Sequence, residues 1–224
     1  TGGRHRRVLL SLSPDGGDAK RVREFDLDER RFVPGGFDVP TAKSTVTWVD
    51  ADTVHVGTDF GPGSMTTSSY PRTVRVLRRG QDLAEARQVF EVAEDHVQAV
   101  LVRDHTPGFV RDVAVDVVDF FASRTCLVRD GELVHIDVPD SVTVDLHRQW
   151  LLLRPQEELE LDGTVHPAGS LLAAGLEAFL AGDRSVTAVF VPDERTSLQS
   201  WSWTADRLIL NLLRDVSSVV RVAI

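Results

Sequence analysis

Apolar residues recur along the chain in runs of four to eight, either alternating with polar residues or unbroken, and turn chemistry closes each run. That pattern predicts a many-stranded antiparallel protein. Arg7 to Ser13 is the first predicted strand, ended by Pro14-Asp15-Gly16-Gly17. Arg21 to Asp26 follows, then the charged turn Asp28-Glu29-Arg30. Thr45 to Val49 and Thr53 to Thr58 flank Asp50-Ala51-Asp52. Beyond the Gly/Ser/Thr-rich stretch Gly61 to Ser69 come Arg72 to Arg78, Arg87 to Val92 and Val97 to Arg103. Arg111 to Phe120 and Arg124 to Arg129 form a long pair, and Asp130-Gly131 is a hairpin turn into Glu132 to Val138. Trp150 to Leu153, Glu158 to Leu161, Val186 to Val191, Leu198 to Trp203, Arg207 to Leu213 and Val219 to Ile224 complete the set.

About sixteen strands, at four per repeat of about 40–50 residues, make about four propeller blades. No recurring Trp-Asp pair accompanies them, so spacing alone also allows a sandwich or a barrel. One segment departs from the pattern. In Ala168 to Gly182 the residues Leu171, Leu172, Leu176, Phe179 and Leu180 recur at helical spacing. Pro167 precedes them, Ser170 can cap the first turn and Gly182 can stop the last, which predicts one inserted helix over about 169–181.

Composition strengthens the β reading: 33 valines stand against a single Met and a single Tyr, and β-branched side chains suit a pleated, half-buried surface. A net charge of −9 argues against nucleic acid, whose binding needs clustered Lys and Arg. The basic run Arg4-His5-Arg6-Arg7 reads as a solvated end before the first strand. Cys126 is alone, so no intramolecular disulfide or CxxC pair forms, and a reducing, cytoplasmic compartment is expected. No apolar stretch approaches the length of a membrane helix, and no secretory signal is visible. A start on Thr1-Gly2-Gly3 rather than Met suggests a processed or excised piece. Of the 25 basic residues only Lys20 and Lys43 are lysine, which reads as genome composition bias.

The chain offers little for bond chemistry. A nucleophile elbow needs Gly-x-Ser-x-Gly, because its strained turn tolerates only small neighbours. Gly63-Ser64-Met65 and Ala168-Gly169-Ser170 come nearest, and neither is flanked as required. No His-Glu-x-x-His pair exists for zinc. Strand alternation sets Asp112 and Asp116 on one face and Asp119 on the other, as solvated or edge-strand acids rather than a calcium loop. Asp15-Gly16-Gly17-Asp18 is expected as a plain turn, and Cys126 as a buried, inert thiol. No catalytic residue, metal ligand or cofactor site is assigned.

An ordered series of segments resembles the later propeller region of the prolyl oligopeptidase family. It runs from Gly163-Thr164-Val165-His166-Pro167-Ala168-Gly169-Ser170-Leu171-Leu172 through Phe179-Leu180-Ala181-Gly182 to Val189-Phe190-Val191-Pro192. Ser197-Leu198, Trp203-Thr204-Ala205-Asp206-Arg207-Leu208 and Leu212-Leu213-Arg214-Asp215-Val216 continue it. Ala42-Lys43-Ser44 through Trp48-Val49-Asp50, Gly57-Thr58-Asp59-Phe60-Gly61 and Tyr70-Pro71-Arg72 are similar to that family as well.

The resemblance implies an all-β chain, a partial propeller of four-stranded antiparallel blades supplying about four to five of the family's seven. In that family the propeller sits over an α/β-hydrolase domain holding a Ser-Asp-His triad, admits short peptides, and cleavage follows proline. The triad domain is absent here, so it is the implied partner, with short peptides as substrates. The family tends to carry an aromatic near the active-site end of the tunnel, five residues before the strand tryptophan. That position is Lys43, a departure, and Lys43 is the one residue expected to face substrate. An open arc of blades exposes sheet edges, so the isolated chain is expected either to dimerise through those edges or to be only marginally stable.

Two other classes are open. A stand-alone binding module for glycan or protein would use an aromatic platform such as Trp201 and Trp203, which share a strand face. A glycosidase would need converging acids, for which Asp116, Asp145 and Glu177 are the nominees.

Overall fold

Every predicted run becomes a strand in the computed structural model, which describes residues 6–223, and five further strands bring the total to 21 among the described residues. Arg4, His5 and Ile224 lie outside the described residues. The first sheet contains β1 (Arg7–Leu12), β2 (Lys20–Asp26), β3 (Arg31–Phe32) and β4 (Asp38–Ala42), with β1 on one side of β2 and both β3 and β4 paired to it. The second runs in chain order through β5 (Thr45–Asp50), β6 (Thr53–Gly57), β7 (Thr73–Arg78) and β8 (Arg87–Glu91). The third does the same through β9 (Gln98–Asp104), β10 (Arg111–Val117), β11 (Ser123–Arg129) and β12 (Glu132–His135).

The fourth sheet orders β13 (Val142–His147), β14 (Trp150–Pro155), β17 (Leu171–Gly175) and β18 (Thr187–Phe190), with the hairpin β15 (Leu159–Leu161) and β16 (Thr164–His166) between β14 and β17 in the chain. The fifth has three strands, β19 (Thr196–Trp203), β20 (Leu208–Arg214) and β21 (Ser217–Ala223). All pairings are antiparallel between chain neighbours or near neighbours, so five blade-like sheets follow one another. At the predicted Asp130-Gly131 turn both residues have positive φ, 51° and 84°, the two-residue geometry whose twist matches the strands it joins.

The predicted helix is shorter than its periodicity. Only Leu176–Leu180 is helical (α1), with Leu176 and Phe179 buried, whereas Leu171 to Gly175 is β17. Leu171 and Leu172, adjacent on the inner strand β17, point to opposite faces and are both fully buried, so both faces of the strand are covered there. An unbroken apolar run suits such a strand as well as one turn of helix, and periodicity does not separate them.

The described residues form two compact units. One runs up to His105 and takes in Val110–Phe120 and Arg124–Val134; the other takes Thr106–Phe109, Phe121–Ser123 and the chain from His135 on. In the first unit Val22, Phe37 and Val39 of the first sheet pack on Val54, Val56 and Leu77 of the second. On the other side of the second sheet Val74 and Phe90 meet Ala99, Leu101, Ala114 and Cys126 of the third. In the other unit Leu152, Leu171 and Phe190 of the fourth sheet pack on Leu198, Leu208, Leu210 and Leu212 of the fifth.

Glu24, on β2, is 1% exposed. Its carboxylate accepts from Phe37 N at 3.0 Å, from Arg79 Nη1 at 2.7 Å and Nη2 at 3.1 Å, and from Arg7 Nη1 at 3.3 Å. Arg79, just past β7, also reaches Asp52 Oδ1 at 2.8 Å and sits 4.8 Å from the centre of the Phe37 ring. A Cβ at Gly36 would stand 2.8 Å from Glu24 Oε2, so this close approach requires glycine. Burial alone would push Glu24 up, but the Arg79 hydrogen bond, the Phe37 amide and the charges of Arg79 and Arg7 outweigh it and hold the carboxyl below its usual range.

Glu24→Gln is expected to destabilise the first unit by about 3 kcal/mol at neutral pH, since it leaves Arg79 facing a neutral partner in a buried site. A lowered carboxyl pKa adds stability that is complete above its unfolded value, about 4.3, and is lost as pH falls through the folded value. Urea unfolding at neutral and acid pH checks both: the variant loses stability at pH 7 and gives a flatter acid limb.

Candidate functional site

Lys43 sits between β4 and β5 and lines a recess of about 240 Å³ with Asp18, Lys20, Ser44, Thr45, Tyr70 and Gln98. The β2–β4 pairing sets Lys20 opposite Ala42, which brings residues far apart in sequence side by side. Lys43 Nζ donates to Ser68 O at 3.3 Å, lies 4.1 Å from the centre of the Tyr70 ring and 3.9 Å from Asp18 Oδ2. Tyr70 donates its hydroxyl proton to the same Asp18 oxygen at 2.9 Å, and that bond raises the phenol's pKa. Lys43 is therefore a fixed ammonium in the wall of a polar recess, its side chain 30% exposed.

A larger groove of about 770 Å³ lies between the second and third sheets, lined by His55, Phe90, Asp112 and Glu132 among others. His55, on the central strand β6, is 5% exposed, and its Nδ1 has no hydrogen-bond partner. Burial lowers its pKa; Asp112 opposes the shift and Arg103 adds to it.

Asp112 is held by Arg103 through bonds of 2.8 and 2.7 Å, and Asp116 by His96 Nδ1 at 2.7 Å with Arg124 at 3.9 Å. For Asp112 and Asp116 the expectation of solvated or edge-strand acids is corrected here, whereas Asp119 is exposed. Strand β10 is central, between β9 and β11, and its carboxylates are ion-paired and mostly buried. Asp119 is not on the opposite strand face, because β10 stops at Val117. Asp15 forms the expected turn, its Oδ1 accepting from Gly17 N at 3.2 Å. Cys126 is buried, and burial followed by the Asp116 charge raises its thiol pKa, which disfavours the reactive thiolate.

Of the two lookalike serines, Ser64 is 4% exposed and spends its hydroxyl on Gly61 O at 2.6 Å and Phe60 N at 2.8 Å; Ser170 is fully buried ahead of β17. Trp201 and Trp203 donate their indole N–H groups to Asp145 Oδ2 at 2.7 and 3.4 Å, and Trp203 stacks on His147 at 4.4 Å. Both indoles pack against the leucine core of the fourth and fifth sheets, so they form no open platform. Of the nominated acids, Asp116 belongs to the first unit and is paired with His96, Asp145 of the other unit is engaged by the two indoles, and Glu177 lies in the first turn of α1. Among the described residues no group of three His, Cys, Asp or Glu could hold a metal ion, and no helix is long and apolar enough to cross a membrane.

Sequence reasoning missed His55, Lys20 and Tyr70 as neighbours of anything functional. The scarcity of lysine and tyrosine was the available signal for the last two.

No family model matches the chain. Over 226 residues it is 32% identical to an uncharacterized peptidase of Sinorhizobium fredii, an alignment covering 95% of this chain and 31% of that protein. Its structure resembles a post-proline cleaving enzyme from Rickettsia typhi, with a TM-score of 0.89 and 22% identity over 97% of this chain and 34% of that one. Oligopeptidase B from Leishmania major matches with a TM-score of 0.65 and 12% identity, over 99% of this chain and 30% of that one. The chain thus spans about a third of the length of the proteins it matches. Its fold is that of part of the propeller domain of prolyl oligopeptidases, as the sequence resemblance implied.

Burial of His55 is expected to make the first unit acid-sensitive. Because the folded pKa of His55 is lowered, its contribution is complete above the unfolded value near 6.5 and is lost as pH falls below it, where the unfolded state binds the extra proton. His55→Gln is expected to shrink the drop in urea midpoint between pH 7.5 and 5.5. An unchanged drop would show that another group titrates.

Proposed function

We propose that this chain is the substrate-gating propeller segment of a prolyl oligopeptidase-like serine peptidase that cleaves short peptides after proline. Bond cleavage belongs to an α/β-hydrolase domain elsewhere in the same polypeptide, and the segment alone performs none. The observation that carries this reading is the likeness to a post-proline cleaving enzyme, which extends over 97% of this chain but only 34% of that enzyme. The absence of any Gly-x-Ser-x-Gly from the sequence supports the same division of labour.

The mechanism is steric and electrostatic. A narrow propeller passage admits an unfolded short peptide and rejects a folded chain, and the enclosure it makes strengthens the electrostatics of a triad beneath it. In this reading Lys43 faces substrate, and the protein works in the cytoplasm, where a lone buried thiol needs no disulfide partner. Separated from the rest of the polypeptide, the segment pairs with a second copy through the outer edge of β21, where Val220 is 67% and Val222 50% exposed.

Kinetics on the whole polypeptide test the reading. A short proline-containing peptide is expected to be cleaved after proline, with kcat/KM about 100-fold or more above that for the same sequence inside a folded host. The 224-residue chain alone is expected to cleave neither. Equal rates on free and folded substrate would overturn gating, and equal rates on proline and alanine peptides would overturn the specificity.

A further inference from the structure

The chain uses arginine almost exclusively for positive charge, yet both of its lysines, Lys20 and Lys43, line one recess. Nothing in strand propensity requires this, since Lys20 opens β2 and Lys43 lies in the link from β4 to β5. Lys20 stands opposite Ala42 at the end of β4, and Lys43 follows Ala42 in the chain, so both residues border the same recess.

The recess is positive within a chain of net charge −9. Two lysines and one carboxylate, Asp18, line it, and that carboxylate is already engaged. One of its oxygens accepts the Tyr70 hydroxyl proton at 2.9 Å and lies 3.9 Å from Lys43 Nζ. Lys43 is held in position by Ser68 O and the Tyr70 ring. Lys20 is exposed and makes no ion pair among the described residues, so its charge remains available. A held ammonium, a free ammonium and the polar walls of Thr45 and Gln98 form a receptor for a compact anion. At about 240 Å³ the recess is smaller than the usual pockets of about 300–1,000 Å³ for drug-sized ligands, which suits a single carboxylate rather than a nucleotide.

We infer that the Lys20–Lys43 recess binds a carboxylate of a peptide. The anion preference follows from the recess itself; only the assignment of that carboxylate to a peptide rests on the proposed function. The carboxylate has two sources, the free C-terminus of a short peptide or an Asp or Glu side chain. Lysine suits this task as a compact point charge with rotatable donors, and it accepts either source without the fixed planar geometry of arginine.

The presence of just two lysines makes the test direct, because lysine labelled with carbon-13 at Cε gives one signal for each. The labelled chain is titrated separately with four probes: an N-acetylated short peptide ending in a free acid, its C-terminal amide, the amide carrying one glutamate, and inorganic phosphate. Saturable movement of both lysine signals with the free acid but not with the neutral amide is expected if the recess reads a C-terminus. The same movement with the glutamate amide identifies an acidic side chain. Either result supports the inference, and Lys20→Gln should then weaken binding about tenfold while the rest of the spectrum stays folded. Still signals with every carboxylate, equal movement with the neutral amide, or movement with phosphate alone would overturn it. Failure here, alongside proline-directed cleavage by the whole polypeptide, would remove this inference and leave the proposed function standing.

Discussion

A carboxylate taken almost wholly out of water must be met by charge and hydrogen bonds, or the fold around it does not form. Glu24 is that group. Its oxygens are satisfied by Arg79 from just beyond β7, by the Phe37 amide just before β4 and by Arg7 at the start of β1, so one side chain ties three segments of the first sheet to the second. Arg79 extends the link to the β5–β6 turn through Asp52 and covers the Phe37 ring. The apolar packing of Val22, Phe37 and Val39 on Val54, Val56 and Leu77 is non-directional; the ion pair supplies the alignment that packing alone leaves loose.

The link reaches the recess that holds Lys43. Strand β2 carries Glu24 in its middle and Lys20 at its start, and its partner β4 leads directly into Lys43. A shift of one residue between β2 and β4 would turn Glu24 out of its pocket and part the two lysines together. Pro40 fits this arrangement because β4 pairs with β2 alone and the register is irregular there, where a residue without an N–H is tolerated.

The strands were largely legible in the sequence because alternation and turn residues are local signals. Thr45 to Val49 and Thr53 to Thr58 needed nothing beyond their own pattern and the Asp-rich turn between them. Asp38–Ala42 escapes a local reading because proline masks a short edge strand, and Leu171–Gly175 reads as helix because burial on both faces removes alternation. The site was less legible. Lys43 emerged only through family resemblance, while Tyr70, Asp18 and Lys20 join it through pairings across sheets that no local pattern encodes. His55 reads as an ordinary strand residue until the third sheet covers it.

Within the two units the antiparallel sheets carry ion-paired acids, a buried thiol, and a buried Ser64 and Ser170, which fits the proposed role as a passage-forming segment. The proposed division of labour between this segment and a separate serine-bearing domain is tested most directly by a fluorophosphonate probe on the whole polypeptide and on this chain alone, with the adduct mapped by mass spectrometry. The predicted result is one modified serine outside residues 1–224 and none within them. An adduct on Ser64, Ser170 or any other serine of this chain would contradict it.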